Sequence, residues 1–427
     1  MSGVNFLEKL LDGGEFQVTT LGELGAFIRG SGIQKSDFTE SGAGCIHYGQ
    51  IHTHYGTWAT ETKSYISHDY ATRLRKAHTG DLVIATTSED DDAVAKAVAW
   101  LGEGAVAVST DAYIYRHAAN PKYMSYFFQT EFFQSQKKPH ITGTKVRRIS
   151  GASLAKIQIP IPCPDNPKKS LEIQAEIVRI LDSFTELTAE LTAELTARKK
   201  QYNYYRDKLL SFEEGEVEWK VLGESAEIFG GLTGKTKSDF ETGDAKYVPY
   251  RNIFSNIAVD FGAIERVQVF QEERQNAVRY GDVLFTASSE TAEEAGMSSV
   301  VLKHMEEPVY LNSFAFGVRF HPDVPLLPDF TKHLFRSSAM RSEIVKTASG
   351  VTRFNISKER FKKIRVPVPS LAEQAKIAAI LDKFDALTNS ITEGLPREIE
   401  LRQKQYAYYR DLLFNFPKPE TASAASA

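Results

Sequence analysis

Two short basic segments of the chain each contain a glycine and carry side chains suited to binding phosphate. The first reads K-K-P-H-I-T-G-T-K-V-R-R-I-S over residues 137–150, and the second reads K-T-A-S-G-V-T-R-F-N-I-S-K-E-R-F-K-K-I-R over residues 346–365. Lysine and arginine neutralise nucleic-acid phosphates, and glycine lets the backbone approach closely. A charged run is often only a solvated surface, but recurrence in two otherwise divergent segments favours phosphate contact. The predicted phosphate-binding residues are Gly143, Lys145, Arg147, Arg148, Gly350, Arg353 and Lys358.

Polar and aromatic residues cluster earlier in the chain, again in two places. They form Y-G-Q-I-H-T-H-Y-G-T-W at residues 48–58 and Y-V-P-Y-R-N-I at residues 247–253. Side chains of these types hydrogen-bond to base edges in nucleic-acid complexes. The two loops differ in sequence, so they are suited to reading different targets, although variable surface loops explain the difference equally well. The base-reading candidates are Tyr48, Gln50, His52, His54, Tyr250, Arg251 and Asn252.

Signals for catalysis are weak. G-G-L-T-G-K-T from Gly230 resembles a phosphate loop, but the first glycine of that motif would fall on Phe229, so a turn is favoured. His47, His52 and His54 have no carboxylate or cysteine at ligand spacing, so no metal site is predicted. The sequence also has no nucleophile elbow and no amino-methyltransferase motif. We therefore predict a binding protein with no catalytic residues.

Composition limits the class of protein further. The chain has 427 residues, which allows two or three domains, and a formal net charge of −4, which excludes a globally basic coat but not a local basic surface. Cys45 and Cys163 are the only cysteines and lie far apart in the sequence, as expected in a reducing compartment. The sequence shows no signal peptide and no apolar stretch long enough to span a bilayer. These features predict a cytoplasmic protein with no membrane partner.

The chain is internally duplicated with a period of about 200 residues. E-I-Q-A-E-I-V-R-I-L-D-S-F from Glu172 matches A-E-Q-A-K-I-A-A-I-L-D-K-F from Ala372, and Q-Y-N-Y-Y-R-D from Gln201 matches Q-Y-A-Y-Y-R-D from Gln405. The N-terminal L-E-K-L-L-D-G-G-E resembles R-D-K-L-L-S-F-E-E-G-E from Arg206. The chain thus begins within the type of element with which it ends, and we expect both termini to lie near one place.

Each copy combines a glycine- and aromatic-rich globular part with a long helix. In the helices, apolar residues recur at steps of four and three, which is typical of a coiled coil; packing on the core of the adjacent domain is the less favoured alternative. Gly394 and Pro396 are predicted to kink the second helix. The predicted packing residues are Ile177, Phe184, Leu191, Ile377, Phe384 and Tyr409.

The predicted fold class is α+β, a pseudo-two-fold tandem duplication of two mixed α/β domains separated by two long antiparallel coiled-coil helices. The boundaries are residues 15–162 for the first domain, 171–212 for the central helix, 215–369 for the second domain, 371–416 for the C-terminal helix, 1–14 for the N-terminal end of the helical region, and 417–427 for a disordered tail.

Over nearly its full length the chain resembles the specificity subunit of type I restriction-modification systems, and the C subclass in particular. The resemblance rests on I-P-I-P-C-P-D-N-P-K-K-S-L-E-I-Q-A-E-I-V-R-I-L-D at residues 159–182, on the repeated tetrads and Q-Y-N-Y-Y-R-D at residues 186–207, and on the matching C-terminal segment at residues 387–416. It implies that the two globular parts are target-recognition domains, each reading one half of a split, asymmetric site in double-stranded DNA, and that the helices form a spacer.

The resemblance also implies the partners and cofactors. Two methyltransferase subunits would methylate adenine at N6 with S-adenosylmethionine, and restriction/translocase subunits would cleave unmodified DNA with ATP and Mg. No cofactor is expected on this subunit itself. Two alternatives remain open at this point: a two-headed scaffold that binds proteins instead of DNA, and a DNA-modifying enzyme with an unrecognised active site.

Overall fold

The computed structural model describes residues 3–241, 243–390 and 392–416, with side chains from Leu7 onwards. The predicted tail at 417–427 lies outside the described residues. The chain divides into two compact units, each described separately below. Unit 1 comprises the chain up to Leu191 and again from Ile399, and unit 2 comprises Thr192–Glu398.

Three of the helices, α8, α14 and α15, are much longer than the others, which are short connectors. The helices are α1 Gly3–Leu11, α2 Leu21–Leu24, α3 Tyr48–Thr53, α4 His68–Thr72, α5 Pro121–Phe127, α6 Glu131–Lys137, α7 Gly151–Leu154, α8 Pro167–Leu209, α9 Leu222–Ser225, α10 Tyr250–Ser255, α11 Pro328–Leu334, α12 Ser338–Lys346, α13 Lys358–Phe361, α14 Leu371–Asn389 and α15 Gly394–Leu413. Short 3₁₀ turns occupy Lys35–Asp37, Lys138–His140 and Lys237–Phe240.

The strands are short and belong to the globular parts. Those of unit 1 are β1 Phe16–Thr20, β2 Gly25–Arg29, β3 Ala43–Ile46, β4 Trp58–Ala59, β5 Ser64–Ile66, β6 Lys76–Ala77, β7 Leu82–Ala85, β8 Thr87–Ser88, β9 Ala97–Trp100, β10 Val106–Val108, β11 Ala112–His117, β12 Arg147–Arg148 and β13 Gln158–Pro162. Those of unit 2 are β14 Glu218–Val221, β15 Ala226–Gly230, β16 Ala245–Val248, β17 Glu265–Val267, β18 Val283–Thr286, β19 Ser288–Ser289, β20 Ser298–Val300, β21 Val309–Leu311, β22 Ala315–Phe320, β23 Ala348–Ser349, β24 Phe354–Ile356 and β25 Arg365–Val368.

The main sheets of the two units share the same order of four strands, to which unit 1 adds β4 at one edge. Unit 1 has the order β2-β11-β7-β9-β4, and unit 2 has the matching order β15-β22-β18-β20. In each unit the strand that enters the domain pairs antiparallel with the strand that leaves it, β1 with β13 and β14 with β25. In each unit a short strand directly follows a strand of the main sheet and forms a small ladder of its own. In unit 1, β8 follows β7 and pairs with β12; in unit 2, β19 follows β18 and pairs with β24. This correspondence confirms the predicted tandem duplication of mixed α/β domains.

The core of unit 1 unites both ends of the described chain. Leu7 and Leu11 of α1 are buried together with Leu413, Phe414 and Phe416, as expected from the resemblance between the N-terminal and C-terminal elements. Phe416 also stacks on Phe16 of β1, with ring centroids 5.4 Å apart. Burial of this much aromatic surface stabilises the contact through the hydrophobic effect.

The long helices pack on each other within each unit and also on the globular cores. In unit 1, Phe184 of α8 stacks on Tyr409 of α15 at 5.4 Å, and in unit 2, Tyr205 of α8 stacks on Phe384 of α14 at 5.6 Å. Leu191 is half-buried. Ile177 and Ile377, by contrast, are buried in the cores of the globular domains.

For Ile177 and Ile377 the structure therefore shows the less favoured alternative, packing on the core of the adjacent domain. Their helices begin directly after the closing β-strands, so their first turns cover the domain core, and only later turns such as those of Phe184 and Phe384 form helix–helix stacks. A second correction concerns the C-terminal helix, which was predicted to be continuous but kinked. It ends at Asn389 and a new helix begins at Gly394, whose φ of +78° and close approach to the carbonyl of Ala386 suit only glycine.

Polar contacts fix each globular domain on the long helices at equivalent positions. The Asp182 carboxylate of α8 accepts hydrogen bonds from Lys122 at 2.8 Å and Tyr126 at 2.7 Å. In unit 2, Asp382 of α14 accepts from Lys332 at 2.9 Å and from the buried His333 at 2.6 Å.

Among the helices of the described residues, none combines the length and the apolar composition that a membrane-spanning segment needs.

Similar contacts explain the repeated R-D pair. The Asp411 carboxylate accepts from the backbone N–H of Glu131 at the start of α6, and the Asp207 carboxylate accepts from that of Ser338 at the start of α12, both at 2.9 Å. A carboxylate satisfies the unpaired N–H groups of a helix N-terminus and suits its positive dipole. The duplicated sequence motif is therefore a duplicated docking contact between domain and helix.

Candidate nucleic-acid interface

Each predicted basic segment forms a hairpin whose turn requires its glycine. Gly143 has φ +93° and Gly350 has φ +148°, and a Cβ atom at these positions would lie 2.1 Å and 2.0 Å from the carbonyl oxygens of Val146 and Arg353. Any other residue would therefore clash with its own turn. The hairpin geometry accounts for both glycines without a phosphate, which is a different reason from the one expected.

In unit 1 the basic hairpin contains one internally bound arginine and two exposed cations. Arg147 donates to both carboxylate oxygens of Asp91 and to the carbonyl of Gly143. Its guanidinium is thus bound within the fold instead of facing a phosphate as predicted. It holds the hairpin against the acidic loop at residues 89–92, and hydrogen bonds from it lower the pKa of Asp91. Lys145 and Arg148 are exposed and remain predicted phosphate ligands.

The polar-aromatic loop of unit 1 forms the short helix α3, which lies against the β8 ladder. Gln50 accepts from the backbone N–H of His47 and donates to Ser64 Oγ at 2.6 Å, so its amide serves the fold instead of facing a base as predicted. His52 Nε2 donates to the carbonyl of Thr87 at 2.9 Å. Burial lowers the pKa of His52, so its ring is neutral at pH 7.

Two other base-reading candidates of this loop lie closer to solvent. His54 is exposed, and Tyr48 is half-buried, with its ring against that of His47 at 4.5 Å. The base-reading assignment therefore remains a prediction for Tyr48 and His54, whereas Gln50 and His52 already have protein partners.

In unit 2 the corresponding helix α10 has one exposed and one buried candidate. Arg251 is exposed, but Asn252 is only 4% exposed, and its Nδ2 donates to the carbonyls of Asp260 at 2.7 Å and Ala263 at 3.1 Å. Its Oδ1 accepts from the backbone N–H of Asp260 at 3.0 Å. Reaching a base would break these three hydrogen bonds, so the geometry does not favour the base-reading role of Asn252, which stays a prediction.

Two of the remaining predicted residues of unit 2, Tyr250 and Arg353, both contact Ser288 of β19. Tyr250 Oη donates to the Ser288 carbonyl at 2.7 Å, and Arg353 Nε donates to Ser288 Oγ at 3.2 Å. The guanidinium of Arg353 also lies over the exposed ring of Phe314, 5.5 Å from its centroid. Lys358, exposed at the start of α13, lies 5.8 Å from the ring centroid of Phe316. One helix residue and one hairpin residue that lie 103 positions apart are thus brought to the same strand.

An open cleft of about 480 Å³ lies at this point of unit 2. Its lining residues are Tyr250, Phe254, Ser288, Ser289, Glu290, Glu294, Thr352 and Arg353. The equivalent place in unit 1 contains the Arg147–Asp91 ion pair. The ladders align Arg147 opposite Ser88 and Phe354 opposite Ser289, so Phe354 and Ala292 of unit 2 replace the paired residues of unit 1. Without that ion pair, the acidic loop of unit 2, residues 290–294, and the hairpin leave space between them.

Sequence reasoning missed the two cations that hold the acidic loops beside these ladders. Lys137 is fully buried, and its Nζ donates to the carbonyls of Asp92 and Val94, each at 2.9 Å. In unit 2, Arg341 donates to the equivalent carbonyls of Glu293 at 2.8 Å and Ala295 at 2.6 Å. Burial lowers the pKa of Lys137 to about 8 and that of Arg341 to about 10. The two cations come from different helical positions, so no motif match could have found them.

Two other chemical possibilities find no support in the described part of the chain. Lys235 of the G-G-L-T-G-K-T segment pairs with Glu273 at 2.5 Å and is not available to a phosphate. Within the described residues, no group of histidine, cysteine and carboxylate side chains is arranged to hold a metal ion.

Comparison with known families gives one match in each copy of the duplication. The model of the type I restriction modification DNA specificity domain matches residues 14–198 and again residues 214–401. The type I restriction enzyme EcoR124I/EcoR124II specificity subunit of Escherichia coli is 37% identical over 99% of this chain and 100% of its own length. The EcoprrI specificity subunit of Escherichia coli is 38% identical over 56% of this chain and 55% of its own.

Solved structures agree at the level of the fold. A chain from a study of complex assembly and conformational transition of the type I R-M system has a TM-score of 0.65, at 16% identity, and the match covers 94% of this chain and 98% of that one. The HsdS subunit from Thermoanaerobacter tengcongensis has a TM-score of 0.50, at 16% identity, over 93% and 96% of the two chains.

Proposed function

Since the chain belongs to the family of type I restriction-modification specificity subunits, we propose that each of its two globular domains binds one half of a bipartite, asymmetric DNA site. The subunit recognises DNA sequence and is not itself catalytic. A scaffold that binds only proteins and a DNA-modifying enzyme are therefore not favoured. The finer assignments below are proposals that extend this family membership.

The observation that best supports the proposal is the repeated convergence around β8 and β19. In each unit a short helix contacts the carbonyl of the equivalent strand residue, Thr87 or Ser288, and a basic hairpin pairs with the same strand. The scaffold is therefore shared, whereas the side chains it presents differ between units. A DNA-reading protein with two unlike half-sites needs this combination, because phosphate contacts position a protein and base contacts specify the sequence.

We further propose that the long helices set the distance between half-sites and that the catalytic steps belong to partners. Two methyltransferase subunits would methylate adenine at N6 with S-adenosylmethionine, and restriction/translocase subunits would cleave with ATP and Mg. The duplication supports two equivalent partner positions, because a repeated element offers the same contact twice.

The proposal is tested by detecting N6-methyladenine in the DNA of a host that carries this chain with its methyltransferase subunits. We expect methylation at one bipartite sequence with two different half-sites and a fixed gap. The full-length chain purified alone should neither methylate nor cleave DNA. Methylation independent of sequence, or no DNA binding by the assembled complex, would contradict the proposal.

A further inference from the structure

The cleft of unit 2 combines a guanidinium with two carboxylates, and this combination discriminates between kinds of DNA contact. Arg353, Glu290 and Glu294 all line it. A phosphate entering the cleft would be attracted by one cation and repelled by two anions. The edge of a base pair has no net charge, so it meets no such repulsion. The location of Arg353 therefore favours a base edge over the phosphate contact expected from sequence.

The side chain of Arg353 is fixed in a way that leaves its terminal nitrogens available. Nε donates to Ser288 Oγ at 3.2 Å, and the guanidinium carbon lies over the Phe314 ring, 5.5 Å from its centroid. Within the described residues, its Nη1 and Nη2 donate to no protein atom. A planar guanidinium held by stacking and one hydrogen bond loses little conformational freedom when it binds a ligand through its remaining donors.

The groups in the cleft match one base pair in particular. Guanine presents O6 and N7 as two acceptors in the major groove, which arginine binds through two parallel hydrogen bonds. The paired cytosine presents its N4 amino group, a donor that a glutamate carboxylate accepts. Of the two carboxylates, Glu294 already accepts from Thr291 Oγ1 at 3.0 Å, whereas Glu290 is exposed and has no hydrogen-bond partner among the described residues.

We infer that Arg353 reads a guanine and Glu290 accepts a hydrogen bond from the paired cytosine, so that the half-site bound by unit 2 contains a G·C pair at this position. The inference rests on the proposed function and assigns a specificity-determining role within it. Unit 1 has no equivalent reader, because the aligned hairpin position is Val146 and the neighbouring Arg147 is bound to Asp91.

The test uses the full-length chain assembled with its methyltransferase subunits and a panel of duplexes based on the site found by methylation mapping. Each base pair of the site is replaced in turn, and binding is measured for wild type, Arg353→Lys and Glu290→Ala. We expect wild type to prefer one G·C pair by about tenfold to hundredfold. Both variants should lose that preference at the same pair, because lysine keeps the charge but lacks the planar pair of donors.

Lys358→Ala is the matched control, since it removes a cation of the same domain from outside the cleft, and it should leave the preference at that pair unchanged. Glu290 lies in an exposed loop, so Glu290→Ala tests the inference even if Arg353→Lys fails to fold. Full discrimination in both variants, loss of discrimination at an A·T pair, or equal weakening on every duplex would overturn the inference. Failure of wild type to select any sequence would instead contradict the proposed function.

Discussion

Arg147 and Arg353 occupy neighbouring places in the two basic hairpins but have different surroundings. Asp91 takes up the guanidinium of Arg147, whereas Ser288 and Phe314 fix that of Arg353 without using its terminal nitrogens. The difference comes from the acidic loop, which has Asp91 in unit 1 and Ala292 at the aligned place in unit 2. Charge alone therefore does not decide which basic residue meets DNA; the partner within the fold does.

At the residue scale, we expect Lys145→Ala and Arg148→Ala to weaken binding to all DNA sequences alike. Each lost phosphate contact should flatten the slope of log affinity against log salt by roughly 0.9. Titration of the assembled complex at several salt concentrations measures this slope. Arg147→Ala is the control and should leave the slope unchanged, since its guanidinium is already paired. A change of target sequence without a change of slope would contradict the phosphate assignment.

Asn252 and Arg251 are adjacent in α10 but should respond oppositely to substitution. Asn252→Ala removes three hydrogen bonds to the backbone of Asp260 and Ala263, so it should lower the free energy of unfolding by about 1–3 kcal/mol. Arg251→Ala removes an exposed side chain and should change DNA binding without changing stability. Chemical unfolding and DNA titration of both variants separate the two roles. A stable Asn252→Ala variant with an altered target would restore the base-reading role of Asn252.

At the scale of elements, carboxylate and amide side chains of the long helices hold the globular domains in place. Gln174 and Gln374 accept from the backbone N–H groups of Asn120 and Leu327, both at 2.8 Å, about two turns before Asp182 and Asp382. The domains thus attach to the helices through buried polar contacts as well as through apolar cores. Such contacts are costly to leave half-made, so they fix one orientation of each domain on its own helix.

Asp382 provides a test of this docking through its pH dependence. Burial raises its pKa, but hydrogen bonds from His333 and Lys332 outweigh this and lower it below the ordinary value of 3.8. The carboxylate therefore contributes stability that is present above pH 3.8 and lost as the pH falls below it. Asp382→Asn should cost about 1–2 kcal/mol at neutral pH and progressively less in acid. Unfolding of unit 2 across pH measures this, with exposed Asp323→Asn as the control. A pH-independent difference would contradict the assignment.

The length of α8 offers a prediction about the gap between half-sites. One Thr188-Ala189-Glu190-Leu191 tetrad adds about 6 Å of helix, compared with about 3.4 Å per base pair. Insertion or deletion of one T-A-E-L unit should therefore change the gap by about one or two base pairs. Methylation mapping in a host with the altered chain measures the gap, and substitution of the tetrad by another of equal length is the control. An unchanged gap would rule out a ruler role for the helix.

At the scale of the whole molecule, the internal duplication of the chain is the feature that the sequence shows most clearly. Long motifs such as Q-Y-N-Y-Y-R-D repeat because both copies need the same contacts, Asp207 with Ser338 and Asp411 with Glu131. The near-neutral total charge was uninformative, because the relevant charges are local. The fold class and the family could therefore be predicted from sequence.

The site was predictable only in part, for a physical reason. Side-chain type indicated Arg147 and Asn252 as DNA ligands, but their function depends on Asp91 and Asp260, which approach them only after folding. The same holds for the break after Asn389, where glycine and proline predict a bend but not whether the helix resumes as a continuous rod. Contacts between side chains that only folding brings together cannot be predicted from the spacing of residues along the chain.

The shared core of the two chain ends also governs the order of events during synthesis. Unit 2 is one continuous segment, Thr192–Glu398, so all of its residues have been translated before α15 is complete. Unit 1 starts before unit 2 in the chain but buries Leu413, Phe414 and Phe416, which are translated after all of unit 2. Because domains fold as units while the ribosome is still at work, the second recognition domain can finish folding first. The core of the first cannot be completed until α15 has been made, because Leu7 and Leu11 of α1 pack against Leu413 and Phe414.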